Sequence, residues 1–230
     1  FPLEMPAFQK AVKTRTDFTR RYNQAQLLAR HFNAVAHLRQ TTVRLKTGGY
    51  GNVILSRWPF RWSHQISLRV NTKKPRGAQL AVVETPEGPM LLVHWHLGLA
   101  EKERHWQVNH LLSHALFHQS GDLPVMIAGD CNDWRNTLSD RLRKELGVAE
   151  VFDELSGAKS HSKIRQLVSS FSRREPAITP ARTFPAALPW FRLDRIYVRG
   201  FKVESALVLH GPLWAKLSDH APIVAELKLS

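Results

Sequence analysis

The sequence predicts an α/β protein. Three observations carry that reading: short β-branched runs closed by turn residues, a long stripe of apolar residues at helical spacing, and an apolar run that ends abruptly in polar side chains. The last is Val125-Met126-Ile127-Ala128, which leads straight into Gly129-Asp130-Cys131-Asn132. If the apolar run is a buried strand, Asp130 and Asn132, two residues apart, point the same way from its carboxyl end. Strand ends of this kind are where α/β sheets place their chemistry.

Taken in order, residues 17–33 hold a helical pattern, with Leu27, Leu28 and Phe32 spaced behind Arg20 and Arg21. Gly48, Gly49 and Gly51 then break the chain before Asn52-Val53-Ile54-Leu55-Ser56, a strand closed by Pro59. Strands are expected over 66–70, 79–84 and 90–97, the last two joined by the hairpin turn Thr85-Pro86-Glu87-Gly88-Pro89. Over 101–118, Val108, Leu111, Leu112, Ala115 and Leu116 share one helical stripe. Gly121 and Pro124 mark the exit into the strand that bears Asp130, which completes a strand-helix-strand unit. A second helix is expected near 138–146, followed by strand or loop over 148–155. Residues 156–182 change texture: Lys159, Lys163, Arg165, Arg173, Arg174, Pro176 and Pro180 describe a basic insertion without a core pattern. Strands over 193–198, 201–209 and 223–229 close the chain. No internal repeat interrupts this order, and the expected organisation is one domain over 1–230.

Composition limits the partners. Thirty-three Lys and Arg against nineteen Asp and Glu give a net charge of +14, which draws polyanions: nucleic acid, anionic lipid headgroups or polyphosphates. Cys131 is the one cysteine, so no internal disulfide can form, and a thiol in a reducing, cytoplasmic compartment is the simplest expectation. No apolar run reaches the length of a membrane span, and the amino end lacks the basic-then-apolar order of a signal peptide. The expected state is a monomer. The chain begins at Phe1 and reads as a fragment or processed form.

Six short motifs resemble, in order, those of the endonuclease/exonuclease/phosphatase superfamily. They are Gly51-Asn52-Val53-Ile54-Leu55-Ser56-Arg57, His96-Leu97-Gly98, Gly129-Asp130-Cys131-Asn132, Thr183-Phe184-Pro185, Leu193-Asp194-Arg195-Ile196 and Ser218-Asp219-His220. The resemblance runs from about Gly48 to the end. It implies two mixed β-sheets packed as a sandwich and flanked by helices, and a Mg²⁺-dependent (or Mn²⁺-dependent) attack of water on a phosphate ester. It allots Asp219, with Asp130 and Asn132, to the metal. His220 is the histidine that contacts the scissile phosphate and helps deprotonate water, Asp194 its carboxylate partner, and His96 a second histidine near the leaving group. Asp130 and Asn132 also orient the water. Asn52, Trp134 and Arg135 are assigned to substrate contact. The superfamily further implies an asparagine on a first strand and a metal-binding glutamate at the end of a second, in segments at or before Phe1. The chain is therefore expected to be truncated at its amino end, with Glu4 as the candidate glutamate.

The chemistry of these side chains agrees with the resemblance. A neutral imidazole can take a proton near neutral pH, and a neighbouring carboxylate fixes its tautomer and supports its charged form. Asp194 within an apolar strand needs a partner, because an unpaired buried carboxylate is costly. Plainer readings stand beside these. Asp130 could cap a helix, and Asp219-His220 could be an ordinary turn. His94 and His96 share a strand face at a spacing that also suits zinc, but lack further ligands. His110, His114 and His118 recur every four residues and read as a solvated face. Cys131 reads as a small buried hydrophobe. The leading reading is a divalent-metal-dependent phosphodiesterase acting on nucleic acid or a lipid headgroup. The alternative is a polyanion-binding module that keeps the fold without turnover.

Overall fold

The computed structural model describes residues 24–46, 48–157 and 181–230. Helix α1 (Gln24–His31) precedes the antiparallel hairpin β1 (Ala36–Arg44) and β2 (Gly49–Ser56). The strands β3 (Phe60–Ser67), β4 (Gly77–Thr85) and β5 (Gly88–His96) follow, then helices α2 (Glu101–Leu112) and α3 (Ala115–Gln119) and strand β6 (Val125–Asp130). Helix α4 (Ser139–Leu146), the short strand β7 (Ala149–Glu150) and helix α5 (Val151–Gly157) lead to the later segment. That segment holds β8 (Asp194–Arg199), β9 (Phe201–Val208), helix α6 (Pro212–Leu217) and β10 (Ile223–Leu229).

The main sheet has six strands in the order β3-β4-β5-β6-β8-β7, and it is mixed: β5 and β6 run parallel while their neighbours pair antiparallel. The parallel pair is the predicted strand-helix-strand crossover through α2 and α3. Alternation along the strands separates two faces. Ala78, Leu80 and Val82 of β4, with Leu91, Val93 and Trp95 of β5 and Ile127 of β6, join Val108, Leu111 and Leu142 from the helices and Leu138 from the turn before α4 in one buried core. Each such side chain contributes about 1.5–3 kcal/mol by leaving water, so this helix-backed face supplies most of the rigidity. The opposite face carries a smaller cluster, Ala81, Val83 and Met90, against which Leu92, Met126 and Phe201 pack.

On that opposite face the β1–β2 hairpin is fixed to the main sheet by buried amides. Gln40 Nε2 donates to the carbonyl of Ile66 (2.9 Å), Gln79 Nε2 to that of Leu38 (2.9 Å), and Asn52 Nδ2 to that of Gly77 (2.8 Å). Strands β9 and β10 form a further antiparallel pair. The fold class is the expected one: a large mixed sheet, smaller sheets and flanking helices.

Several local expectations change. Strand β1 falls where none was predicted; its apolar positions are sparse because only one face packs. The strand expected over 66–70 is centred earlier, at β3. The single helix expected over 101–118 breaks at Ser113 and His114, where His114 leaves the helical region and accepts the amide of Leu116 on Nδ1. That break divides the His110, His114 and His118 series between two helices. The segment 148–155 is mostly helix α5, because the buried Glu150 carboxylate accepts the amides of Phe152 and Asp153 and starts a helical turn. Helix α6, with Pro212 in its first turn, was not anticipated. Glu4, the start of the 17–33 helix and most of the 156–182 insertion lie outside the described residues.

Candidate active site

Strand register brings the first three side chains together. His96 ends β5 and stands opposite Asp130 on β6, which stands opposite Asp194 on β8. The three are abreast on adjacent strands, on the face away from the main core. His96 Nε2 is 3.2 Å from Asp130 Oδ2. His220, which follows α6, reaches the same place: its Nδ1 is 2.7 Å from Asp194 Oδ2. This bond fixes the tautomer that leaves Nε2 free, and it raises the proton affinity of the imidazole above its ordinary value. Partial burial opposes the rise, and the nearby carboxylates of Asp130 and Asp219 add to it. Distant stretches of sequence thus converge around one imidazole.

Gly129 makes the turn out of β6 possible. Its φ is +142°, and a Cβ there would overlap the carbonyl oxygen of Trp95 on the neighbouring strand. The strand ends at Asp130, so the two-residue alternation does not continue to Asn132, as a longer strand would have had it. Asn132 instead has φ 48°, its backbone amide donates to Asp130 Oδ1 (2.8 Å), and its side-chain Nδ2 donates to the carbonyl of Leu97 (2.8 Å). Asp130 is thereby held in one rotamer by its own turn. Cys131 is fully buried beneath it, where Trp95 Nε1 donates to its sulfur, and burial pushes the thiol up to about 12.

Further support comes from residues to which the motifs gave no role. Asp133 is completely buried; its carboxylate pairs with Arg104 of α2 (3.3 Å), accepts the hydroxyl of Thr137 (2.9 Å) and accepts the amide of Leu138 (2.8 Å). Arg195 of β8 donates to the Asp133 carbonyl (3.2 Å). These bonds clamp the turn that presents Asp130. Thr183 is equally buried, and its Oγ1 accepts the amides of Leu193 and Asp194 at 3.3 and 3.2 Å. Its carbonyl accepts the amide of Ala221 (2.7 Å), which ties the Asp194 strand to the His220 turn. The Phe184 ring lies 4.9 Å from the His220 ring, centroid to centroid.

Arg76 is a site residue that sequence reasoning missed. Its Nη1 is 2.5 Å from His96 Nε2, so that nitrogen either accepts from Arg76 or donates to Asp130, but not both at once. The available signal was the cationic run Lys73-Lys74-Pro75-Arg76 just before β4.

The remaining sequence candidates are placed differently. Asn52 is buried in the hairpin junction, with its Nδ2 on the Gly77 carbonyl and 3.2 Å from Gln40 Oε1, so its donors serve the packing of β2 on β4. Trp134 is exposed, with the Arg135 guanidinium 4.4 Å above its ring and Phe191 edge-on at 6.4 Å. His94 is turned to Gln79 Oε1 (3.2 Å), and burial, with His96 as a lesser cause, lowers it to about 4. Asp219 is exposed, at the edge of a cavity of about 460 Å³ lined also by Pro185, Ala187, Lys216 and Ser218.

Among the described residues, no group of three His, Cys, Asp or Glu side chains is placed to hold a metal ion. The oxygen-bearing side chains of Asp130, Asn132 and Asp219 suit a hard divalent cation in kind.

Comparisons with known proteins identify the family. The Endonuclease/Exonuclease/phosphatase family profile matches residues 13–220. The uncharacterized protein YbhP of Escherichia coli (strain K12) is 33% identical over 184 residues, 79% of this chain; the matched stretch spans 64% of that relative. Among solved structures, a mannosyl-6-phosphatase of Bacteroides thetaiotaomicron VPI-5482 superimposes with a TM-score of 0.59 at 16% identity, covering 84% of this chain and 77% of that one. TDP2 of D. rerio, solved with a single-strand DNA product, gives 0.61 at 19% identity over 88% and 80%. These likenesses show the fold, while the profile shows the membership: the chain belongs to the Endonuclease/Exonuclease/phosphatase family, whose enzymes hydrolyse phosphoesters.

Proposed function

We propose that this protein hydrolyses a phosphodiester by in-line attack of water, with the Asp194–His220 pair as the base. The observation that carries the reading is the 2.7 Å bond between His220 Nδ1 and Asp194 Oδ2, abreast of Asp130 and His96. His220 Nε2 takes a proton from water as the oxygen attacks phosphorus, and Asp194 supports the imidazolium that forms. Asp130 and Asn132 orient that water. On the far side of the phosphorus, the leaving ester oxygen takes a proton from His96. Arg76 neutralises a non-bridging oxygen, which matters because phosphoryl transfer depends chiefly on positioning and charge.

A divalent cation, Mg²⁺ or Mn²⁺, would be held by Asp219 with Asp130 and Asn132, and would supply charge neutralisation and polarisation of the phosphoryl oxygens. The phosphatase and the DNA-processing protein that share the fold leave the substrate open between small phosphoesters and nucleic acid. The net charge of +14 favours a substrate that is, or sits on, a polyanion.

Hydrolysis of bis(p-nitrophenyl) phosphate with Mg²⁺ or Mn²⁺ tests the reading. Turnover that chelation removes and that Asp219→Ala reduces by about 10²-fold or more would support it. Binding of polyanions without any product, unchanged by chelator, would replace it with the binding-module reading.

A further inference from the structure

Residues 184–191, Phe-Pro-Ala-Ala-Leu-Pro-Trp-Phe, form a loop without one polar side chain, closed by the bridge between Phe184 and Phe191. An apolar loop would ordinarily fold inward. Here Leu188 is 70% exposed and Trp190 65%, and Ala187 and Phe191 are exposed with them. The backbone is prepared for loss of water. Five of the six backbone amides are engaged, those of Phe184, Leu188, Trp190 and Phe191 on carbonyls within the loop and that of Ala186 on the Asp219 carbonyl, while Pro185 and Pro189 have no N–H and the Ala187 amide alone stays with water. Such a tip can enter an apolar phase at little cost in broken hydrogen bonds.

Cations stand around it at the level of its base. The guanidinium of Arg182 lies 5.9 Å from the Trp190 ring and that of Arg135 4.4 Å from the Trp134 ring, which in turn meets Phe191. A protruding aliphatic and aromatic tip flanked by two arginines, on a chain of net charge +14, matches an anionic bilayer: apolar side chains below the headgroups, tryptophan at the interface and guanidinium on phosphate. A single-stranded nucleic acid fits less well. The two arginines already lie over the exposed tryptophan rings, and Ala187, Leu188 and Pro189 offer neither a stacking face nor a donor to phosphate.

We infer that the 184–191 loop docks this protein on anionic lipid membranes. The loop is joined to the candidate site through Phe184 against His220 and Ala186 on Asp219. Docking would therefore set the hydrolytic groups at headgroup level; that placement, unlike the docking itself, rests on the phosphoester-hydrolase reading.

The test uses vesicles of equimolar phosphatidylcholine and phosphatidylglycerol, with co-sedimentation and tryptophan emission as readouts and no divalent cation added. The wild-type chain is expected to sediment with the vesicles and its emission to shift to the blue. Leu188→Ser with Trp190→Ser should lower the partition coefficient at least about tenfold, since burial of even one such side chain is worth that factor. Circular dichroism and the thermal midpoint verify the fold, and Leu188→Ser alone carries the test if the double variant does not fold. Wild type that stays in the supernatant overturns the inference, as does a variant that partitions like wild type. A variant that loses instead only oligonucleotide binding, or only self-association by sedimentation velocity, assigns the loop to nucleic acid or to a second copy and overturns it too. Hydrolysis of a soluble phosphodiester, followed in parallel, keeps failure of the catalytic reading separate.

Discussion

Asp194 interrupts an apolar strand, and its carboxylate finds the imidazole of His220 and sits beside Asp130 across the β6–β8 pair. Its need for a partner was readable from sequence, because burial cost alone demanded one. Arg76 was hard to read, since the cationic run that holds it is one of several in a basic chain until the fold brings it to His96. Arg76→Ala should lower kcat/KM for a phosphodiester by about tenfold or more, the effect of losing one charge-assisted contact to the phosphate. Gly129 makes a sharper prediction. At φ +142° and against the Trp95 carbonyl, Gly129→Ala should destabilise the protein by about 2–4 kcal/mol, read by urea unfolding. His94 gives the pH dependence. Its folded value is depressed from 6.5 to about 4, so the stability it contributes is present above the unfolded value and is lost as pH falls from 6.5 towards 4. The loss amounts to about 3 kcal/mol, and His94→Gln should flatten that part of the stability curve.

At the scale of elements, the motifs identified the family, and two of them, at His96 and Asp130, fall at strand ends that lead into turns. Strand β6 and the 79–84, 90–97 and 223–229 strands were visible because continuous or alternating apolar runs have few other uses. What failed was set by tertiary contacts. Strand β1 is held by Gln40 and the Leu38 carbonyl rather than by an apolar stripe, and α5 begins because the buried Glu150 offers its carboxylate to two amides. The Asp133–Arg104 pair belongs to the same class. Both partners are buried, yet in the sequence Asp133 is only one more polar residue after the motif. Removing one partner leaves an uncompensated charge, so Arg104→Ala should cost about 3–5 kcal/mol by urea unfolding. Because the pair clamps the turn that carries Asp130, activity should fall even where the variant remains folded.

For the whole molecule, the central claim is that His96, Asp130, Asp194 and His220 act as one device, assembled from strands β5, β6 and β8 and the turn after α6. The charge of +14 and the apolar loop beside that device concern where it works; the coupling of its parts concerns whether it works at all. Groups that act as a unit give strongly non-additive losses. The most direct measurement is kcat for bis(p-nitrophenyl) phosphate in the wild type, Asp194→Asn, His220→Ala and the double variant, all shown to be folded. The account predicts that each single change lowers kcat by about 10²–10⁴-fold and that the double variant is no slower than His220→Ala. Wild-type turnover that survives His220→Ala, or losses that simply multiply in the double variant, would contradict it.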